Sequence, residues 1–172
     1  MGGFAHLARR FIGSLRPGGP PEPDRAWVEA ILSDAEYRLW ERQYGPDRRH
    51  TVEVAREVER RLGADATPPV LAAALLHDIG KIDAGLRTWG RVVATVSAKV
   101  AGHDTARLWI ESRGFTRKVG LYLHHPEIGA DLLEMAGSDP LTVAWAAEHH
   151  KPVEEWSVDR KVADALHVAD DD

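Results

Sequence analysis

The run Thr67-Pro68-Pro69-Val70-Leu71-Ala72-Ala73-Ala74-Leu75-Leu76-His77-Asp78-Ile79-Gly80-Lys81 decides the fold class of this 172-residue chain. Thr67 followed by proline opens a helix in the usual way, because the first helical residue has no use for its N–H. Val70, Leu71, Ala74 and Leu75 then recur at helical spacing as far as His77. His77 and Asp78 therefore stand at a helix C-terminus, where the negative end of the dipole favours a cation.

Upstream of this run the signals are also helical. Ser33 and Glu36 form a capping box ahead of an apolar-periodic stretch through Trp40. Gly45-Pro46 is read as the end of that helix and Asp47 as the cap of the next, which runs to about Leu62 and stops at Gly63. Downstream, Pro126 and Pro140 mark two further starts, and Gly137 and Lys151-Pro152 two stops. Ser157 is read as the cap of a last helix carrying Val158, Val162, Leu166 and Ala169. No stretch shows convincing strand alternation, so the expected fold is an all-α helical bundle. It spans residues 24–172, behind a Pro/Gly linker at 17–23. Residues 1–16 place Phe4, Leu7, Phe11, Ile12 and Leu15 at helical spacing beside Arg9, Arg10 and Arg16, an amphipathic helix expected to dock on the domain. His6 lies within it and is read as structural.

With 44% hydrophobic residues the chain can bury a sizeable core, and its net charge of −5 gives no reason to expect a nucleic-acid backbone as partner. No stretch approaches the roughly 20 apolar residues that cross a bilayer, and no secretory signal is recognisable, so a cytoplasmic location is expected. The absence of cysteine removes thiolate ligands and cysteine nucleophiles, so any metal must be held by nitrogen and oxygen.

Nine histidines make that question pressing. A single histidine is more often structural than a ligand. Here, however, His50, His77, His125, His149 and His150 each fall near a helix end or first turn, beside apolar runs that face a core. Asp78 follows His77, and Asp170 lies near the end of the last helix. Imidazole with carboxylate suits zinc, iron, manganese, cobalt or nickel, and a carboxylate can bridge two ions. Of the two Val-Ala-Asp triplets, Asp170 shares a helix face with the apolar Leu166 and Val162, whereas Asp164 lies nearer Arg160, towards the outside. A second doublet, His103-Asp104, reads as a helix cap before Thr105.

The run Leu75-Leu76-His77-Asp78-Ile79-Gly80-Lys81 resembles the signature of the HD-domain phosphohydrolase superfamily, whose members bind metal through a histidine, a His-Asp doublet and a late aspartate. His50 matches the first histidine. His125-Pro126-Glu127-Ile128-Gly129 and His149-His150 resemble the extra histidines of the two-metal branch that includes the HD-GYP phosphodiesterases. The similarity spans about residues 47 to 170. His124 neighbours His125 but does not precede the matching Pro-Glu-Ile-Gly run. No glycine-tyrosine-proline motif follows His149-His150, and Pro46 stands where that subgroup has a glutamate, so no preference for a cyclic dinucleotide is expected.

What the resemblance implies is a pair of divalent ions. One would be held by His50, His77, Asp78 and Asp170. The other would share Asp78 and add His125, His149 and His150. Together they would activate water for attack on a phosphomonoester or phosphodiester, a nucleotide being one candidate. Asp78 and Lys81 would be the catalytic residues, with Lys81 neutralising phosphate charge. Arg87 and Arg91 are further candidates for holding the phosphate, although surface charge is their commoner role. Trp89 and Trp109 are read as packing residues. Two alternatives remain: a di-iron oxygenase, since some superfamily members use the same ligands to activate dioxygen, and a metal-binding regulatory module without turnover.

Overall fold

The computed structural model describes residues 18–86 and 109–171. The amphipathic helix at 1–16, the candidates Arg87 and Arg91, Trp89 and the His103-Asp104 doublet lie outside the described residues. The described part is mostly helical, and no strand occurs in it. Its helices are α1 (Glu22–Ile31), α2 (Asp34–Glu41), α3 (Gly45–Leu62), α4 (Pro68–Leu76), the single turn α5 (Lys81–Ala84), α6 (Gly114–Leu123), α7 (His125–Ala136), α8 (Pro140–Glu148) and α9 (Arg160–Asp171). None of them is long and apolar enough to cross a membrane.

Helix α4 is the axis of the bundle. Every residue from Val70 to Leu76 is buried, so the helix is apolar on all sides and must be surrounded. Helices α3 and α8 flank it, α9 packs on α3, and α7 packs on α8. The core joins Val28, Trp40, Ala55, Val58, Leu75, Leu76, Ile79, Leu133, Trp145 and Leu166. A smaller cluster of Ala84, Leu86 and Val119 ties α5 to α6, with Trp109 packed against it as a packing residue should be.

Three boundaries differ from the sequence reading, each for a local reason. Helix α1 starts at Glu22, inside the segment read as linker, because Pro23 falls in its first turn, where a missing N–H costs nothing. For the same reason Gly45-Pro46 opens α3 instead of merely ending α2, and Asp47 lies in its first turn while Tyr44 is the cap residue. Ser157 does not cap α9. Its N–H and hydroxyl both bond the Glu148 carboxylate, and Asp159 accepts from the backbone N–H groups of Lys161 and Val162 instead. The capping box at Ser33 and Glu36 is present in both directions, and Gly63 ends α3 with a positive φ of 55°.

Candidate metal centre

The candidate ligands gather at the end of the bundle where the C-termini of α4 and α8 meet the N-terminus of α7. His77 is the C-cap residue of α4 and His149 that of α8, so both rings sit where helix dipoles present negative charge. Asp78 follows in the turn to α5. His125 begins α7, His50 comes from α3 and Asp170 from the last turn of α9.

Two groups of ligand atoms form, each with all members within 4.8 Å of one another. One is His50, His77 and Asp170. The other is Asp78, His125, His149 and His150. Asp170 Oδ1 lies 2.8 Å from His50 Nε2 and 3.6 Å from His77 Nε2. Asp78 belongs to both sides. Its Oδ2 is 3.5 Å from His77 Nε2, and its Oδ1 is 3.2 Å from His125 Nε2 and 3.6 Å from His149 Nε2. Lys81 donates to Oδ2 of the same carboxylate. Asp164, the other late aspartate, pairs with Arg160 at 2.7 Å on an exposed face. His124 lies 3.8 Å from Glu127 and belongs to neither group.

The hydrogen-bond chemistry of three rings tests whether a metal fits. The Nδ1 atoms of His77, His125 and His149 lie 2.9, 2.7 and 2.9 Å from the carbonyl oxygens of Ala74, Tyr122 and Ala146. A carbonyl can only accept, so each Nδ1 must carry a proton and donate. In the neutral ring Nε2 is then a bare lone pair. All three Nε2 atoms are buried without a hydrogen-bond partner, and so is Oδ1 of Asp78, towards which those of His125 and His149 converge. Lone pairs facing a carboxylate repel unless a positive charge lies between them. Ligand atoms about 3 Å apart also match the edge of a coordination polyhedron with bonds of about 2.0–2.1 Å, and a backbone-anchored Nδ1–H is how ligating histidines are commonly oriented. The residues fit a metal.

The electrostatics agree. Burial would lower the pKa of His77, but Asp78 and Asp170 beside it outweigh that and raise it to about 9, so without a metal its ring carries a proton at neutral pH. On the other side, burial and then Lys81 lower His125 to about 4. His150 is exposed at its edge, yet its ring lies 4.0 Å from that of His149 and 5.1 Å from that of His125. Burial and these two neighbours lower it to about 3. Both rings are neutral at ordinary pH and free to donate a lone pair. Against burial, Lys81 and His77 hold Asp78 well below the usual carboxylate range, and His77 and His50 do the same for Asp170.

Two glycines bring the halves together. A β-carbon on Gly80 would stand 2.0 Å from the His125 carbonyl oxygen and 2.7 Å from the Gly129 nitrogen, while one on Gly129 would stand 3.2 Å from the Gly80 nitrogen. Only this backbone-to-backbone approach lets the turn bearing Asp78 reach His125. The sequence shows both glycines but not that they touch.

A cleft of about 220 Å³ opens beside Asp78 and Lys81, lined also by Arg42, Gln43, Tyr44, Asp47, Ile82, Gly85 and Leu86. The sequence reading missed Arg42, Gln43 and Tyr44. They lie between two helices, where no periodicity marks them, and the one available signal was a glutamine that turns out to be buried. Comparison with protein-family models, with curated proteins and with solved structures gave no match, so the chain is characterised by its own geometry: an all-α bundle with buried histidine and aspartate groups able to hold a metal ion.

Proposed function

We propose that this chain is an HD-type, metal-dependent phosphohydrolase that holds two divalent ions and hydrolyses a small phosphoester. The observation that carries this reading is the position of Asp78. Its two oxygens face different histidine groups, His77 on one side and His125 and His149 on the other, as a bridging carboxylate requires. With the ions bound, the centre would supply Lewis acidity and a water acidic enough to attack phosphorus near neutral pH.

The chain's own residues divide the remaining work. His50, His77, His125, His149, His150 and Asp170 hold the ions, and the carbonyls of Ala74, Tyr122 and Ala146 fix three of those rings. Lys81, on the cleft wall next to Asp78, offers a cation for the charge that builds on the phosphoryl oxygens. In the reaction the water oxygen forms a new P–O bond and the bond to the alcohol oxygen breaks. A proton from the water ends on the leaving alcohol. Hydrolysis is favoured over oxygenation because a lysine at the cleft wall suits an anionic substrate. The sequence keeps no glycine-tyrosine-proline run after His150, so a cyclic dinucleotide is not the expected substrate.

The test loads metal-free protein separately with manganese, cobalt, nickel, zinc and ferrous iron. Phosphate or nitrophenol release from nitrophenyl phosphate and its diester is then followed, with oxygen uptake recorded alongside. Release by at least one metal form, at two ions per chain, is the expected result. Oxygen consumption by the iron form without release from any form would overturn it in favour of an oxygenase.

A further inference from the structure

His149 and His150 are neighbours in the chain, yet both belong to the ligand group of Asp78 and His125, with their rings 4.0 Å apart. On a continuous helix two such neighbours point about 100° apart and do not face each other. Here α8 ends at Glu148 and His149 is its cap residue, so His150 is placed by the turn that follows. His149 has anchors of its own. Its backbone N–H donates to the Trp145 carbonyl at 3.0 Å, and its ring Nδ1 lies 2.9 Å from the Ala146 carbonyl oxygen. Among the described residues, no carbonyl holds a ring nitrogen of His150 in this way. The direction of the His150 ring therefore rests on the backbone of residues 148–151.

That backbone is held from outside the helix. Ending α8 leaves carbonyls without intrahelical partners. The indole Nε1 of Trp156 donates to the carbonyls of Glu148 and Lys151, at 3.1 Å each, so a single N–H spans the two residues that bracket His149-His150. The Lys151 N–H closes the turn on the Glu148 carbonyl at 2.7 Å. One residue beyond Trp156, Ser157 donates its N–H and its hydroxyl to the two oxygens of the Glu148 carboxylate, both at 2.7 Å. The Trp156 ring is itself fixed, edge-on at 5.3 Å against Trp145, which is buried in the core. These bonds tie the loop 152–157 back onto the end of α8.

We propose that Trp156 is a positioning residue for metal binding. Through the Glu148 and Lys151 carbonyls it holds His150 within reach of the ion assigned to Asp78, His125 and His149, and the Glu148–Ser157 pair is the second half of the same clasp. The inference rests on the reading of these residues as metal ligands and is independent of the reaction the metal serves.

The experiment titrates the metal-free full chain with cobalt(II) against a chromophoric chelator, with the visible absorption of bound cobalt recorded alongside. Trp156→Phe keeps an aromatic ring against Trp145 and removes the N–H. It should weaken one ion about 10–100-fold, the usual cost of losing a group that orients a ligand, and leave the other unchanged. His150→Ala should weaken the same ion. In the His150→Ala background Trp156→Phe should then cost less than about threefold, because its effect runs through the missing ring. A merely structural role would add its full loss in both backgrounds. Glu148→Ala removes only exposed side-chain bonds and serves if Trp156→Phe does not fold. Its expected loss is about threefold to tenfold, with the same dependence on His150. Cobalt affinity unchanged by the substitution, or a loss that persists without His150, overturns the positioning role and leaves the metal centre standing. No cobalt bound by the unaltered chain overturns both.

Discussion

Gly80 packs its backbone against the carbonyl oxygen of His125 so closely that a β-carbon would fall 2.0 Å from that oxygen. At φ −63° the residue adopts an ordinary helical conformation, so the glycine serves contact and not backbone freedom. Gly80→Ala must therefore push α7 away from the turn that carries Asp78. On the proposed two-ion reading, the expected outcome is loss of the ion assigned to Asp78, His125, His149 and His150, with the ion assigned to His50, His77 and Asp170 retained. Overpacking of this kind costs about 1–3 kcal/mol of stability. Metal analysis by plasma emission, with thermal melts, checks it, and two ions in the variant would refute the joint. Gly129→Ala should be milder, since its nearest contacts are 3.2 and 3.3 Å.

Asp78→Ala should reduce metal affinity in both groups, whereas His150→Ala should affect only one. Loss of a partner that merely orients a ligand costs about 10–100-fold in affinity, so loss of the carboxylate proposed to be shared should cost about 100-fold or more. Titration with a chromophoric chelator competitor measures this. Equal losses in the two variants would contradict the bridging role.

The metal-free protein should lose stability in alkali. The pKa of His77 in the fold, about 9, lies above its ordinary 6.5. A raised histidine contributes stability that is fully present below about 6.5 and is lost as pH rises through about 9, worth on the order of 3 kcal/mol. Melts of metal-free protein from pH 6 to 10 should fall across that window, and His77→Gln should flatten the fall. If His77 ligates a metal as proposed, binding at pH 7 expels this proton, so calorimetry in buffers of different ionisation heat should show uptake of a proton by the buffer.

Tryptophan emission should report the centre. Trp145 lies 6.4 Å from His149, ring to ring, and stacks edge-on with Trp156 at 5.3 Å. Cobalt, with unpaired electrons, should quench emission much more than zinc. Trp145→Phe should remove most of that difference, and an unchanged difference would place the ion elsewhere.

Much of this could be read along the chain. Helices open at Pro68, Pro126 and Pro140 and close at Gly63 and Gly137 because those residues act through local backbone geometry. Where local signals competed, the reading slipped. Along the sequence Pro46 reads as an end, yet it lies in a first turn, and Ser157 reads as a cap, yet Glu148 claims its hydroxyl and Asp159 performs the capping.

By itself the sequence determined the helical class and pointed to a set of candidate nitrogen and oxygen ligands, since helix period, caps and the lack of cysteine are properties of neighbours along the chain and of composition. Only the tertiary structure decided how those ligands divide: which oxygen of Asp78 faces which histidine, that Asp170 meets His50 across 120 positions, and that Gln43 lies buried beside Lys81 with its carbonyl oxygen unmatched. These depend on how α3, α4, α7, α8 and α9 pack. That packing is set by side-chain volume and by the contact of Gly80 with α7, neither of which any local window of sequence contains.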